Sequence, residues 1–158
     1  MPLLALDDAG LVAVRRCDVE SRLLADRHYS RQTVGAREFM GNGRTLVLRD
    51  TAGTLVFGWL YPKSAMHVID AVWCSIFRNE SDRRSSEVIL EAEAMAVTRW
   101  PDAPRFATYI DPRKIASQNP GYCFKVVGYR HVGNSTRGLH LLVKEIPPAV
   151  PDPNPQKP

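Results

Sequence analysis

Apolar positions along the chain follow two spacings, which predict strands interspersed with helices. Helical spacing marks residues 18–27 and, most clearly, Ser85 to Trp100, while a short helix ended by Gly128 is predicted in NPGYCFKVVGYR. Alternating or continuous apolar residues indicate strands in LVAVRRCD, RTLVLRD, TLVFGWLY, AVWCSIFR, RFATYI and GLHLLVKEI. The predicted order, β-α-β-β-β-α-β-α-β-β, indicates a mixed sheet with helices on its faces.

Local signals set several element ends. The letters TAG between two strand patterns predict a hairpin. Ser85 or Ser86 is expected to cap the long helix through its side-chain oxygen, and Pro101 to end it. The glycine-rich segment QTVGAREFMGNG lacks the spacing of a phosphate-binding motif and is either a lid or a long connection.

Composition narrows the class of protein. A net charge of +4 and a pI near 9.1 are compatible with a polyanionic partner such as nucleic acid. Three well-separated cysteines and an N-terminus without a basic region predict a reduced, cytoplasmic protein. The folded unit is expected to be a single domain over residues 1–146, followed by a disordered, proline-rich tail over 147–158.

One cluster of polar residues follows the first predicted helix. If that helix ends at a cleft, Arg27 and Arg31 could contact DNA phosphates while His28 and Tyr29 point inward, where histidine suits proton transfer or metal ligation. The alternative is a helix C-terminus, where the dipole favours cations, with Tyr29 packed in the core. The four histidines are scattered without the paired spacing of a metal site.

The element order and the ending FKVVGYR resemble the GNAT acyltransferase fold, which implies an α/β, mostly antiparallel sheet with helices on both faces. A narrower resemblance, over roughly residues 12–146, is to the Mom family of phage DNA-modification proteins. It is carried by RHYSR, GRTLVLRD, IFRNES, SSEVILEAE and YIDPRKIASQNPGYCFKVVGYR. This resemblance implies an enzyme that converts the N6 amine of adenine in double-stranded DNA to a carbamoylmethyl derivative. Such an enzyme protects phage DNA from restriction in the host cytoplasm.

The donor is left open by one departure from the GNAT pattern. The segment before the long helix reads RNESDRRSSE and lacks the glycines that let the backbone approach a pyrophosphate. Arg78, Arg83, Arg84 and Ser85 are expected to hold the donor there, beside the helix N-terminus. The acyl donor is acetyl-CoA or another activated acyl or aminoacyl species. The resemblance links iron to the family, without ligands that the sequence defines, and a dimer is compatible with it.

Three further positions carry candidate chemistry. In NPGY, Asn119 could accept hydrogen bonds from an adenine amine while Tyr122 stacks on the flipped base; the alternative is a turn with a packed tyrosine. Asp111 ends a strand, where a carboxylate could accept a proton or only cap the next turn. The resemblance favours the functional role for Asp111 and Tyr122.

The remaining candidates lie near these positions. Arg113 and Lys114 are expected to contact the DNA backbone, or else to form a solvated face. The resemblance implies that Ser86 contacts the donor in addition to capping. Two rival functions stay open: a conventional GNAT acetyltransferase acting on a small amine or a protein, and a DNA-binding module without catalysis.

Overall fold

The computed structural model describes residues 10–29, 31, 33–63, 69–115 and 118–148, and its elements follow the predicted order. The predicted tail, beyond Pro148, lies outside the described residues, as does His67. The elements are β1 Val12–Val14, α1 Val19–Asp26, β2 Arg44–Arg49, β3 Leu55–Tyr61, β4 Val72–Asn79, α2 Ser85–Arg99, β5 Arg105–Ile110, α3 Tyr122–Val126, β6 Arg130–Asn134 and β7 His140–Glu145.

The strands form one seven-stranded sheet in the order β1-β2-β3-β4-β5-β7-β6. All neighbours are antiparallel except β4 and β5, which run parallel because α2 crosses between them. The expected mixed, mostly antiparallel sheet is therefore confirmed.

The sheet is covered on both faces, and each face has its own core. Side chains alternate along β3, so Phe57 packs with α2 residues such as Ile89, while Val56 packs with Leu24 of α1 on the opposite face. Trp59 secures the α2 face by donating its indole N–H to the Ala92 carbonyl at 2.9 Å. The long apolar runs that predicted β3 and β4 are explained by this burial on both sides.

A β-bulge in β4 interrupts the pairing at the centre of the sheet. Gly58 pairs with Ile76 and Trp59 with Cys74, so Ser75 is an extra residue without a partner in β3. The parallel pairing with β5 ends at the same level, at Cys74 and Thr108. The rest of β4 therefore continues without a paired neighbour on its β5 side.

The predicted capping of α2 by Ser85 or Ser86 is wrong. The N-cap is Arg84, and no side chain in the described parts of the chain makes a capping hydrogen bond there. Asn79 holds the preceding loop instead: its amide donates to the Arg83 carbonyl at 2.8 Å and to Ser85 Oγ at 3.1 Å. Because Asn79 uses Ser85 Oγ as an acceptor, the loop directs that hydroxyl away from the helix amides.

Candidate active site

A cavity of about 1090 Å³ opens where β4 and β5 separate. Its walls come from both cores: Leu60, Trp73 and Ile76 belong to the α1 core, and Cys74 and Phe124 to the α2 core. The cavity therefore passes through the plane of the sheet. We call the wall formed with residues of the α1 core and the segment after α1 the α1 side, and the wall formed with residues 113–124 the α3 side.

Eight of the predicted site residues line this one cavity, although they come from three separate segments. Six others do not line it. The cavity residues are His28, Tyr29, Arg31, Asp111, Arg113, Lys114, Asn119 and Tyr122. The residues outside it are Arg27, Arg78, Arg83, Arg84, Ser85 and Ser86.

His28 and Tyr29 stand together on the α1 side, with their rings stacked at a centroid distance of 4.4 Å. Burial lowers the pKa of His28 from 6.5 to about 4, the Arg78 charge adds to this, and a hydrogen bond to the Phe77 backbone opposes it. Burial raises the pKa of the Tyr29 phenol, which a backbone hydrogen bond from Asp111 partly offsets. At neutral pH His28 is therefore an uncharged imidazole beside a protonated phenol.

An arginine–glutamate cluster holds this pair in place from outside the cavity. Arg78 donates to the Arg27 carbonyl at 2.7 Å, and Glu80 accepts from both Arg27 and Arg78, at 2.9 and 2.5 Å between Nε and Oε2. The two arginines lower the pKa of Glu80 to about 2. Glu80 therefore joins Arg78 to Arg27. Arg78 was predicted to bind the donor and Arg27 to bind DNA, and both roles stay predictions.

Arg31 is also engaged by the protein. Its guanidinium donates to Asp26 Oδ1 at 2.8 Å and to the carbonyls of Glu38 and Ala36 at 2.9 and 2.6 Å. The side chain is only 8% exposed. Arg31 thus fixes the loop that follows α1, and the predicted contact with a DNA phosphate would require these bonds to open.

Asp111 is buried directly after β5, and Arg113 binds its carboxylate. Asp111 Oδ1 accepts from the Arg113 backbone amide at 3.0 Å and from its Nε at 3.1 Å, while Oδ2 accepts from Nη2 at 3.3 Å. These hydrogen bonds lower the pKa of Asp111. The carboxylate is therefore charged at neutral pH and stabilises the 111–114 turn, so the geometry favours the turn-capping alternative over a proton acceptor.

The α3 side is more open. Gly121, with φ +76°, begins α3 and places Tyr122 on its first turn, where the ring is 61% exposed at the cavity. Asn119 Oδ1 accepts from Lys125 at 2.8 Å. Lys114 belongs to the α3 side, but its Nζ lies 5.8 Å from the centre of the Tyr29 ring on the α1 side. The two predicted base-reading residues therefore face the cavity from the wall opposite His28 and Tyr29.

The N-terminus of α2 offers few side chains that are available to bind an anion. Arg83 pairs with Glu91 at 2.6 Å, whereas Arg84 is exposed and forms no salt bridge with a described residue. Ser86, half-buried on the first turn, makes no side-chain cap. The uncapped amides and Arg84 are compatible with a phosphate group, as predicted, but neither Arg83 nor Ser85 is available without breaking its present contact.

Several residues that line the cavity were not predicted from the sequence. Trp73 and Tyr109 stack at 5.2 Å on the α1 side, Ser75 enters through the bulge, and Arg137 reaches in from the β6–β7 turn. Thr108 donates to the Cys74 carbonyl at 3.0 Å where β4 and β5 part. Only the position of Tyr109 near a strand end offered a signal, because the others depend on the bulge and on long-range pairing.

A metal centre receives no support. The residues that the structure describes contain no group of three or more histidine, cysteine or acidic side chains placed to hold an ion. His131 and His140 do stack at 4.3 Å, but on β6 and β7 rather than at the cavity. The iron link implied by the resemblance therefore has no ligand set here. Among the same residues, no helix is long and apolar enough to cross a membrane.

Comparison with known proteins places the fold. No family model and no curated protein matches the sequence. Two solved structures are similar: an aminoglycoside 6'-N-acetyltransferase from Enterococcus faecium, with a TM-score of 0.62, and an aminoglycoside 6'-acetyltransferase of type Ii, with 0.61. Both are 16% identical to this chain; they cover 90% and 89% of it and 99% of their own lengths. The chain therefore has the GNAT fold, and nothing in the comparisons supports the Mom family specifically.

Proposed function

We propose that this protein is an N-acyltransferase that moves an acyl group from a thioester donor to an amine. The observation that carries the proposal is the cavity through the sheet, which gives two reactants access from opposite faces to the opening between β4 and β5. Beyond Cys74 the pairing of β4 with β5 ends, so backbone groups of β4 that would have bonded to β5 have no partner in that strand at the opening. Backbone amides so placed can stabilise negative charge on a reacting carbonyl oxygen.

The phosphate groups of the donor fit the N-terminus of α2, which follows β4 but does not line the cavity. The exposed Arg84 and the uncapped first turn of α2 could hold phosphate groups such as those of coenzyme A. A coenzyme A thioester supplies an activated carbonyl and a thiol leaving group. Acetyl-CoA is the simplest such donor, and another activated acyl or aminoacyl species would use the same chemistry.

Two side chains are proposed to move the protons of the transfer. His28 is uncharged at neutral pH and can accept a proton from the attacking amine. Tyr122, exposed on the α3 side, can donate a proton to the leaving sulfur. Asp111, charged and bound to Arg113, acts as a positioning residue for the turn that carries Lys114.

A second candidate acceptor is the N6 amine of adenine in DNA. What favours it is the cavity mouth, where Arg113 and Lys114 are exposed beside the largely exposed ring of Tyr122, on a chain of net charge +4. Cations and an exposed aromatic ring suit a phosphate backbone and an unstacked base. Asn119 would accept from the amine after releasing Lys125.

The test is acyl transfer by the purified full chain, followed as thiol release from acetyl-CoA with a panel of amines. Nucleoside mass spectrometry of DNA from cells expressing the protein supplies the DNA arm. Tyr122→Phe should lower kcat about 100-fold, the usual scale for losing a proton donor, without changing the melting temperature. Tyr61→Phe is the control, because Tyr61 lies outside the cavity lining and should leave kcat unchanged.

The outcomes separate the candidates. Release of thiol with small amines supports the general transferase, and a mass shift of deoxyadenosine supports the DNA enzyme. No transfer to any amine or to DNA would reject the proposal. A Tyr122→Phe enzyme with the wild-type kcat would reject the assigned proton donor only.

A further inference from the structure

The α1 side of the cavity contains an ordered aromatic wall. The rings of Trp73 and Tyr109 stack almost in parallel, with centroids 5.2 Å apart and planes 18° apart. Leu60 and Leu139 line the cavity with them, and Tyr29 adds a third ring that stacks on His28. Stacked, apolar walls favour flat ligands, because a planar ring buries its faces there without losing rotational freedom.

The charged residues that line the cavity are mostly cations. Asp111 is the only acid that lines it among the described residues, and Arg113 neutralises that carboxylate. Of the lining cations, Arg31 is paired with Asp26, whereas Lys114 and Arg137 form no salt bridge within the described ranges. A ligand with several ammonium groups would therefore meet uncompensated positive charge, and one with an anionic group would find partners.

From these two features we infer that the acceptor is a planar aromatic amine carrying an anionic group, and that polycationic amines are excluded. This inference rests on the proposed transferase function and names its substrate class. It separates this chain from the two similar structures, which are acetyltransferases of aminoglycosides, compounds rich in ammonium groups. The anionic group of the acceptor would contact Arg137 or Lys114, and its ring would lie against the aromatic wall of Trp73 and Tyr109.

The chemistry of aromatic amines suits this cavity. An aromatic amine is uncharged at neutral pH, so its nitrogen can attack without first losing a proton to a strong base. In the transfer the nitrogen bonds to the acyl carbon and the carbon–sulfur bond breaks. The proton that the nitrogen then loses passes to His28 or solvent, and the leaving sulfur gains one from Tyr122. His28 is a weak base, which is adequate for an amine made acidic by bond formation.

The test measures binding without donor, by calorimetry on the full chain. The probes are 4-aminobenzoate, its uncharged amide, the flexible amino acid 6-aminohexanoate, the polycation kanamycin, and a short single-stranded oligodeoxynucleotide. We expect 4-aminobenzoate to bind at least tenfold more tightly than its amide, 6-aminohexanoate or kanamycin. The oligonucleotide shows whether the cavity prefers an aromatic amine and an anionic group that are part of a nucleic acid.

Two variants and a matched control locate the site. Arg137→Gln should weaken 4-aminobenzoate about tenfold, whereas Arg130→Gln, an exposed arginine on β6 outside the cavity, should leave it unchanged. Tyr109→Leu should weaken the binding of 4-aminobenzoate but not the binding of 6-aminohexanoate. Oligonucleotide binding that responds to Arg137→Gln alone supports the same site, and equal responses to both arginine variants would mean general polyanion binding and overturn it.

The failure of this inference differs from the failure of the proposed function. If kanamycin or 6-aminohexanoate binds as tightly as 4-aminobenzoate, the acceptor class is wrong even where thiol release proves a transferase. If 4-aminobenzoate binds as expected but no donor yields transfer, the binding site stands and the catalytic proposal is rejected.

Discussion

The two walls of the cavity differ in how they are held. On the α1 side, His28 and Tyr29 are fixed by their stacking, by the backbone of Phe77 and Asp111, and by the cluster of Arg78 and Glu80 behind them. On the α3 side, Tyr122 is 61% exposed, and Asn119 Oδ1 accepts a hydrogen bond from Lys125 at the surface.

This difference indicates different roles for the two walls. Reactive groups need fixed positions, because a small displacement from productive geometry reduces a rate strongly. Groups that meet an incoming molecule can keep some freedom. The α1 side therefore resembles a preformed subsite, and the α3 side resembles an entrance that a reactant completes.

The largest expected effect tests Gly121, which begins α3 on the α3 side. Gly121→Ala would force a non-glycine residue to φ +76° and place its Cβ 2.5 Å from Cδ1 of the fully buried Leu142. We expect a loss of about 3 kcal/mol, or a melting temperature lower by about 10 °C. Thermal unfolding measures it.

Gly138→Ala is the matched control for that variant. Gly138 has φ +82°, but a Cβ there would meet nothing within 4 Å, so only the backbone strain of about 1 kcal/mol remains. Equal losses in the two variants would show that Leu142 moves aside, and that the α3 side lacks a rigid anchor.

Local patterns predicted the elements well and the site only in part. Continuous apolar runs located β3 and β4, since both are buried on two faces, and helical spacing located α2 to within a residue. Asp111 was predicted at a strand end, where it lies. His28, Tyr29, Asp111 and Tyr122 come from three segments and line one cavity, and their catalytic roles stay predictions.

What the sequence did not show depends on particular contacts and on strand register, which the apolar pattern does not reveal. The predicted capping of α2 by a serine was wrong, because Asn79, six residues earlier, donates to the hydroxyl of Ser85. The sequence did not show that carbonyls of the following loop accept hydrogen bonds from Arg31, whose predicted phosphate contact stays a prediction. Ser75 reads as one more residue of an apolar strand, and only its register against Gly58 and Trp59 reveals the bulge.

A second prediction tests the burial of the α1 side through pH. The pKa of His28 is about 4 in the folded protein, below its ordinary 6.5, so the unfolded chain binds the proton more tightly. Stability should therefore be fully present above pH 6.5 and fall as the pH drops toward 4. Between pH 7.5 and 5 the His28 contribution is at most about 2 kcal/mol.

The measurement is chemical denaturation of the wild type and His28→Gln at both pH values. The variant should lose about 2 kcal/mol less than the wild type over this range. An unchanged pH dependence in His28→Gln would mean that the α1 side admits water, and the contrast between the walls would disappear.

The smallest expected effect is on the open wall itself. Lys125→Met removes an exposed hydrogen bond with Asn119, and we expect the free energy of unfolding to change by no more than about 0.5 kcal/mol. Chemical denaturation of the wild type and the variant measures this change. A loss above about 1 kcal/mol would show that this hydrogen bond holds the α3 side firmly. The α3 side would then be as preformed as the α1 side, because its polar groups would hold their positions before any reactant arrives.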